Sequence, residues 1–499
     1  MEAKKKKVLL GASWSIVEPL GLFFLSQIAR DEGWEPRIVL TREPDFSEME
    51  LALREFKPDL LGFTAYSGNH LDVERLFCRA KTLLPNLLTV VGGPQATYFP
   101  LESRNYADFT VISEGLNGFR RILRGEAEPG IVHLRRLELF PQTDREQFYR
   151  DHSEHRNGAI KNIITSTGCP YSCSYCYNSS KLSSIASALT ETQAEEMKLA
   201  LNAKRLFPFS FRSVSDVVKE ADAIRKIAPA TRMIFFQDDI FGSNIEWLRE
   251  FARVWNRRLA FHAQMRFEFA DPANPISRER VELMREAGCT GLTFAIEAAN
   301  PVIRSEVLNR HMDNEVMFRT MAFVGGLGYR VRTEQILGLP RGATSEETKI
   351  NLEADLEVLE LNVQLREQTG LPTIAWASTL APYRGTAIER YCIKHGFYRQ
   401  HSRDIPREGY RFKSLLDFPS RWVGPGLSAD SDAWLARDEQ EEYKDKLYRL
   451  MTLFSIFALM PKGHRLAEAF LQGSDQGFPG LNNATRSHLY DYSLFEVRE

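Results

Sequence analysis

The feature that most constrains this chain is a long alternation of short, continuously apolar runs with stretches of helical period. Early on, "KVLLGA", "PRIVL", "LLGFTAY", "LLTVVGG" and "ADFTVIS" are separated by "PLGLFFLSQIARDEGW", "SEMELALREFKP" and "DVERLFCRAKTLLP", and "EGLNGFRRIL" follows. Apolar runs with no polar alternation suit strands covered on both faces, so residues 1–125 are predicted to form a doubly wound, Rossmann-like parallel sheet. Such a sheet binds ligands beyond the carboxyl ends of its strands. The loops there, "GASWSIVEPLG", "AYSGNH" and "GGPQAT", are rich in glycine and small polar residues. They suit close approach to a bulky ligand and tight turns equally.

Residues 126–160 are charged, contain Pro and Gly, and read as a linker. A second series opens at "IKNIITST" and runs through "RMIFFQDD", "LAFHAQMRF", "GLTFAIEA" and "RVRTEQILGLP" to "PTIAWASTLAP", each with a helical partner. About six strand–helix units over 161–395 predict a complete or partial (β/α) barrel with its site at the strand carboxyl ends. Ser213, three residues before Asp216, is an expected helix N-cap. Residues 396–499 read as a C-terminal helical region. With 499 residues the chain exceeds one hydrophobic core.

Composition excludes several classes. A net charge of −2 gives no footprint for nucleic acid. Lys4 to Lys7 run into "VLLGA", too short for a signal segment, and "LMTLFSIFALM" is too short to span a bilayer. Six cysteines and no export signal make a disulfide scaffold the poorer reading and a reducing cytoplasm the expected location.

Half of those cysteines fall in "TSTGCPYSCSYCYNSS": Cys169, Cys173 and Cys176, spaced Cys-x3-Cys-x2-Cys just after the first strand of the second series. Cys78, Cys289 and Cys392 lie in predicted helix or at a helix end, so none is an obvious fourth ligand. A [4Fe–4S] cluster takes one cysteine per iron, and three leave one iron open for substrate. A three-ligand catalytic zinc site is the rival, although zinc-type His and Cys spacing is absent nearby. An iron–sulfur electron carrier and a zinc-bound structural protein are the other classes in play.

The loop resembles the signature of the radical S-adenosylmethionine (SAM) superfamily. Further likeness lies in "GGPQAT", "SEGLNG", "IFFQDDIF", "MREAGCTGLTFAIEAAN", "ILGLPRGATSEET" and "LAPYRGTAIERYCIKHGF", over about residues 5–400. The first two resemble the subgroup with an N-terminal cobalamin-binding-type domain. The resemblance implies that Cys169, Cys173 and Cys176 hold a [4Fe–4S] cluster whose open iron chelates SAM. Reductive cleavage then yields a 5′-deoxyadenosyl radical that takes hydrogen from a small-molecule substrate. It also implies an electron donor such as flavodoxin or ferredoxin.

On the same resemblance Tyr175 stands beside the adenine, Glu297 meets the ribose or polar groups of SAM, and Gly338 in "LGLP" turns against the adenine. Asp238 and Asp239 end an apolar strand and are candidates for substrate binding, loop anchoring or a helix N-cap. Arg266 is a candidate partner for a SAM carboxylate or a barrel acid. Cobalamin contacts are expected at Ser67, Gly68, Gly92, Gly93, Pro94 and Glu114. The first loop has no histidine to ligate cobalt, and Gln95 stands where the subgroup often has histidine. The expected activity is cobalamin-dependent methyl transfer to an unactivated carbon. The alternative is a cobalamin-independent radical dehydration, epimerisation, cyclisation or rearrangement. The segment Ser183 to Lys204, long for its place after the cluster loop, is either a lid over the substrate side or an inert insertion.

Overall fold

The computed structural model describes residues 5–42, 45–201, 205–340, 352–399, 405, 409–420 and 434–472. Contacts divide the chain into two compact units, residues 1–171 with 177–232, and residues 172–176 with 233–499.

In the first unit, β1 (Lys7–Ser13), β2 (Glu35–Thr41), β3 (Leu60–Thr64), β4 (Leu88–Gly92), β5 (Phe109–Val111) and β6 (Gly130–Val132) form one sheet in the order β2-β1-β3-β4-β5-β6. Every pairing is parallel. Helices Leu20–Asp31, Ser47–Phe56 and His70–Leu83 connect successive strands. Val8, Leu9, Leu61 and Val91 are all but fully buried, which is why these strands read as unbroken apolar runs. The strand order reverses at β1/β3, and in such sheets the crevice at that point binds ligands.

Part of the expected linker is built into this unit. Residues Gly130–Val132 add the last strand, and Arg145 is buried, with Nη1 3.0 Å from Glu18 and Nη2 2.6 Å from Glu220. The first unit also holds β7 (Ile160–Ile163), β8 (Ser166–Thr167) and β9 (Ser210–Phe211), the last two paired antiparallel. Ser213 caps the following helix, accepting from the Asp216 amide at 3.1 Å.

The segment after the cluster loop also belongs here. Leu182, Ile185, Met197, Leu201 and Leu206 share a buried cluster with Tyr98, Ile112 and Leu134. Its apolar face therefore completes a core of the first unit. Residues 202–204 lie outside the described residues.

The second unit contains β10 (Met233–Phe236), β11 (Ala260–Met265), β12 (Cys289–Glu297), β13 (Arg330–Leu337) and β14 (Ile374–Thr379). Each pairs in parallel with the next in sequence. A monotonic order is that of a barrel wall, whereas a doubly wound sheet reverses. Cys289, placed at a helix end by the sequence, is instead the first residue of β12. Helix Pro275–Ala287 closes at Gly288 before it.

Helix Arg437–Leu459 of the C-terminal region packs on β14, and Ser455 Oγ donates to the Ala375 carbonyl. It covers a strand edge that would otherwise leave backbone donors and acceptors unpaired. Leu450, Phe454 and Phe457 in the run "LMTLFSIFALM" are buried by this packing. Among the described residues no helix is long and apolar enough to cross a membrane.

Candidate functional site

Of the three loop cysteines, Cys173 is buried and Cys169 and Cys176 are partly exposed. Hydrogen bonds to the loop backbone fix its second half. Ser174 N donates to the Leu308 carbonyl at 2.9 Å, Ser174 O accepts from Ile388 N at 2.9 Å, and Asn309 Nδ2 donates to Ser172 O at 2.7 Å. Cys176 N bonds Cys173 O at 3.2 Å, closing the turn between the two thiols. Arg266 Nη1 lies 3.5 Å from Cys173 Sγ, and its Nη2 is 2.5 Å from Glu268 Oε1. Among the described residues no three His, Cys, Asp or Glu side chains converge on a single metal ion. Cubane ligation does not ask for that, since each thiolate holds its own iron.

Beside this half-loop, Tyr175 OH donates to Glu297 Oε1 at 2.7 Å. Glu297 ends β12 at φ 66°, and the register with β13 shifts there. A non-glycine residue in the left-handed region costs energy and is concentrated at functional sites. Burial raises the Glu297 pKa, opposed by the nearby Arg310 guanidinium and the Tyr175 hydrogen bond. The Tyr175 hydroxyl is pushed well above its usual range by burial and by Glu297. Arg310 donates to the Ala295 carbonyl at 2.5 Å and is itself buried.

In the first unit, a cavity of about 300 Å³ opens at the carboxyl ends of β1, β3, β4 and β5. Its walls include Leu10, Gly62, Thr64, Gly92, Gly93 and Glu114. Gly93 is required by close packing, because a Cβ there would stand 2.8 Å from the Ala65 carbonyl oxygen at φ 92°. Both Glu114 carboxylate oxygens are shielded from solvent and lack a hydrogen-bond partner of good geometry. Burial and the neighbouring Glu138 push its pKa up to about 8, and the Asn117 and Leu116 amides oppose this only weakly. A buried carboxyl in the wall of an apolar cavity, its pKa raised by burial, is a candidate hydrogen-bonding group there.

Residues 6–123 match the B12 binding domain family, and residues 163–349 match the radical SAM superfamily. The chain is a radical SAM enzyme with a B12-binding domain. Cytidylyl-2-hydroxyethylphosphonate methyltransferase of Streptomyces wedmorensis is 21% identical over 488 aligned residues, covering 82% of this chain and 84% of that protein. The radical SAM methyltransferase TsrM from Kitasatospora setae, solved with cobalamin and a [4Fe–4S] cluster, superposes with a TM-score of 0.59 at 17% identity, over 80% of each chain. The cobalamin-dependent SAM radical enzyme OxsB, solved with aqua-cobalamin and SAM, gives 0.64 at 12% identity, over 99% of this chain and 74% of that one. At these identities the structural likeness is one of fold.

In the B12-binding domain only part of the predicted set lines the cavity. Gly92, Gly93 and Glu114 do, whereas Ser67, Gly68 and Pro94 are not among its walls. Ser67 Oγ is instead 2.8 Å from Tyr177 OH. Sequence reasoning missed Ser113, Phe207 and Pro208, which are cavity walls.

In the radical SAM domain, Asp238 is fully buried while Asp239 is exposed, so the adjacent carboxylates are separated by environment. Neither caps the next helix: Asn244 does, accepting from the Glu246 and Trp247 amides at 3.0 and 3.2 Å. Arg266 pairs with Glu268, one of the two partners expected of it, and also reaches Cys173. The close approach at Gly338 is to the chain itself. A Cβ there would meet Leu447 Cδ2 at 2.7 Å, and the Gly338 amide donates to buried Asp355 at 2.8 Å. The segment that follows "LGLP", residues 341–351, lies outside the described residues. Arg310 and Glu268 were missed because nothing in "LNRHM" or "FEF" marks which distant groups these side chains meet.

Proposed function

We propose that this enzyme transfers a methyl group to an unactivated carbon of a small-molecule substrate, using a [4Fe–4S] cluster, SAM and cobalamin. The observation that carries the reading is the pairing, in one chain, of a three-thiol loop with a B12-binding domain whose cavity opens at the strand carboxyl ends. The methyltransferase named among its relatives supports it. When bound, the cluster and SAM would supply a radical able to take hydrogen from carbon, and cobalamin would supply the methyl group.

The residues present fit these groups. Cys169, Cys173 and Cys176 would ligate three irons, with Arg266 beside Cys173 offsetting negative charge on the thiolates. Glu297, oriented by Tyr175 and favoured in its ionised form by the charge of Arg310, would accept from hydroxyl or ammonium groups of SAM. The cavity would hold the heterocyclic base and sugar of a corrinoid's nucleotide arm. Gly92 and Gly93 would let that arm approach the backbone, and Glu114 would meet its polar groups. Asp238 would hold substrate or the loop around it. A flavodoxin or ferredoxin would deliver the electron.

Anaerobic reconstitution with iron, sulfide and hydroxocobalamin, followed by incubation with methyl-labelled SAM, tests the reading. About four irons and one corrinoid per chain are expected, with label leaving SAM for a methylated product. Iron without corrinoid would overturn the cobalamin part alone, and failure to retain iron would overturn the whole.

A further inference from the structure

Four consecutive residues, Arg205 to Pro208, face two sites at once. On one side the Arg205 guanidinium gathers the backbone at the start of the cluster loop. Nη1 donates to Cys169 O at 2.5 Å and Tyr171 O at 2.7 Å, with Asn178 O at 3.4 Å, and Nη2 donates to Pro170 O at 2.7 Å. A planar fork of five N–H donors can hold three successive carbonyls in one arrangement, which a lysine ammonium cannot do. On the other side, the Leu206 carbonyl accepts from Ser113 Oγ at 2.6 Å, and Phe207 and Pro208 are walls of the cavity that Ser113 and Glu114 also line. Thr167, two residues before Cys169, is another wall, and its Oγ1 donates to the Pro208 carbonyl at 3.3 Å.

We propose that Arg205–Pro208 couples the two sites: a nucleotide arm filling the cavity and a cluster held at the cysteine loop stabilise the same arrangement of this segment, so each tightens the binding of the other. Arg205 is the positioning residue on the cluster side and Ser113 the tie on the cavity side. The inference rests on reading the cavity as the corrinoid site. Its physical basis is ordering entropy. Whichever group binds first fixes the segment, and the second binds to a segment already fixed. The coupling is reciprocal by thermodynamic necessity.

The test compares hydroxocobalamin affinity, by equilibrium dialysis, for cluster-free and cluster-reconstituted full-length protein. The reconstituted protein is expected to bind about tenfold tighter, within the usual range for coupled sites. Reciprocally, added hydroxocobalamin should slow loss of cluster iron to a chelator. In Arg205→Lys and Ser113→Ala the difference between the two forms should shrink to within about twofold. A merely structural role for Arg205 would weaken both affinities and leave their ratio intact. Equal affinities in the wild-type protein would overturn the coupling while leaving the proposed function standing, and this outcome depends on no variant. An unchanged ratio in both variants would overturn the role of the segment. Absence of corrinoid binding to either form would overturn the cobalamin reading and the coupling together.

Discussion

Tyr175, one residue before the third loop cysteine, gives its hydroxyl to Glu297, the residue at which β12 turns into left-handed backbone, across 2.7 Å. The bond joins the cluster loop to the end of a barrel strand and favours the ionised form of a carboxyl that burial would otherwise neutralise. Tyr175→Phe removes that support, so the Glu297 pKa should rise further. Because SAM binding would need the carboxylate, affinity is lost as pH falls through this pKa. The acid limb of the SAM-affinity profile should therefore move to higher pH in the variant. Calorimetric titration of reconstituted protein across pH checks this, and an unmoved limb would dissociate Glu297 from SAM.

Arg266 is a positive group 3.5 Å from Cys173 Sγ. Arg266→Met should make the reduced cluster harder to form, lowering its reduction potential by on the order of tens of millivolts. Redox titration followed by electron paramagnetic resonance reads the shift. Arg266→Lys, which keeps the charge, should recover part of it.

Glu114 gives a pH prediction for protein free of corrinoid. Its folded pKa, about 8, lies above the ordinary 4.5. The folded state thus holds the proton more tightly than the unfolded state between those values, and stability falls as pH rises through that window. Glu114→Gln removes the penalty. The variant should be more stable than wild type above pH 8, by at most about 5 kcal/mol, and so melt higher there, with no such advantage below the unfolded carboxyl pKa. Parallel melting curves from pH 4 to 9 decide it.

Met197 lies fully buried in the cluster that joins the post-loop segment to Tyr98, Ile112 and Leu134. Met197→Ala should cost about 2–5 kcal/mol in the first unit. A substitution with no effect on denaturant midpoint would mean that the segment is not part of that core.

Gly338 combines φ 69° with a missing Cβ 2.7 Å from Leu447 Cδ2. Gly338→Ala should destabilise by about 1–3 kcal/mol. Leu447→Ala in the same chain should relieve the steric share and leave the backbone share, giving a favourable coupling in a double-mutant cycle.

Strands were legible wherever burial on both faces leaves an unbroken apolar run, as in "LLGF", "MIFF" and "LTFAI". Strand β6 was not, since Gly130–Val132 is short and sits in a charged, proline-containing stretch that signals a linker. The cysteine loop announced itself by spacing, which is local. Arg205, Arg310 and Glu268 did not, because their importance lies in which distant groups they meet. The same holds for Gly338: the sequence marks a backbone that needs room, and only the fold identifies Leu447 as its neighbour. The two aspartates looked equivalent until burial separated Asp238 from Asp239.

The first unit takes residues 177–232 from beyond the cluster loop to finish its own interior. Its module boundary and its folding boundary therefore differ. A fragment ended at residue 125 would keep the family match yet leave Tyr98 and Ile112 without their apolar cover. On the ribosome, this unit stays unfinished until the cysteine loop has already emerged. Recombination that exchanges the B12-binding domain between relatives would have to carry the loop's far side along with it.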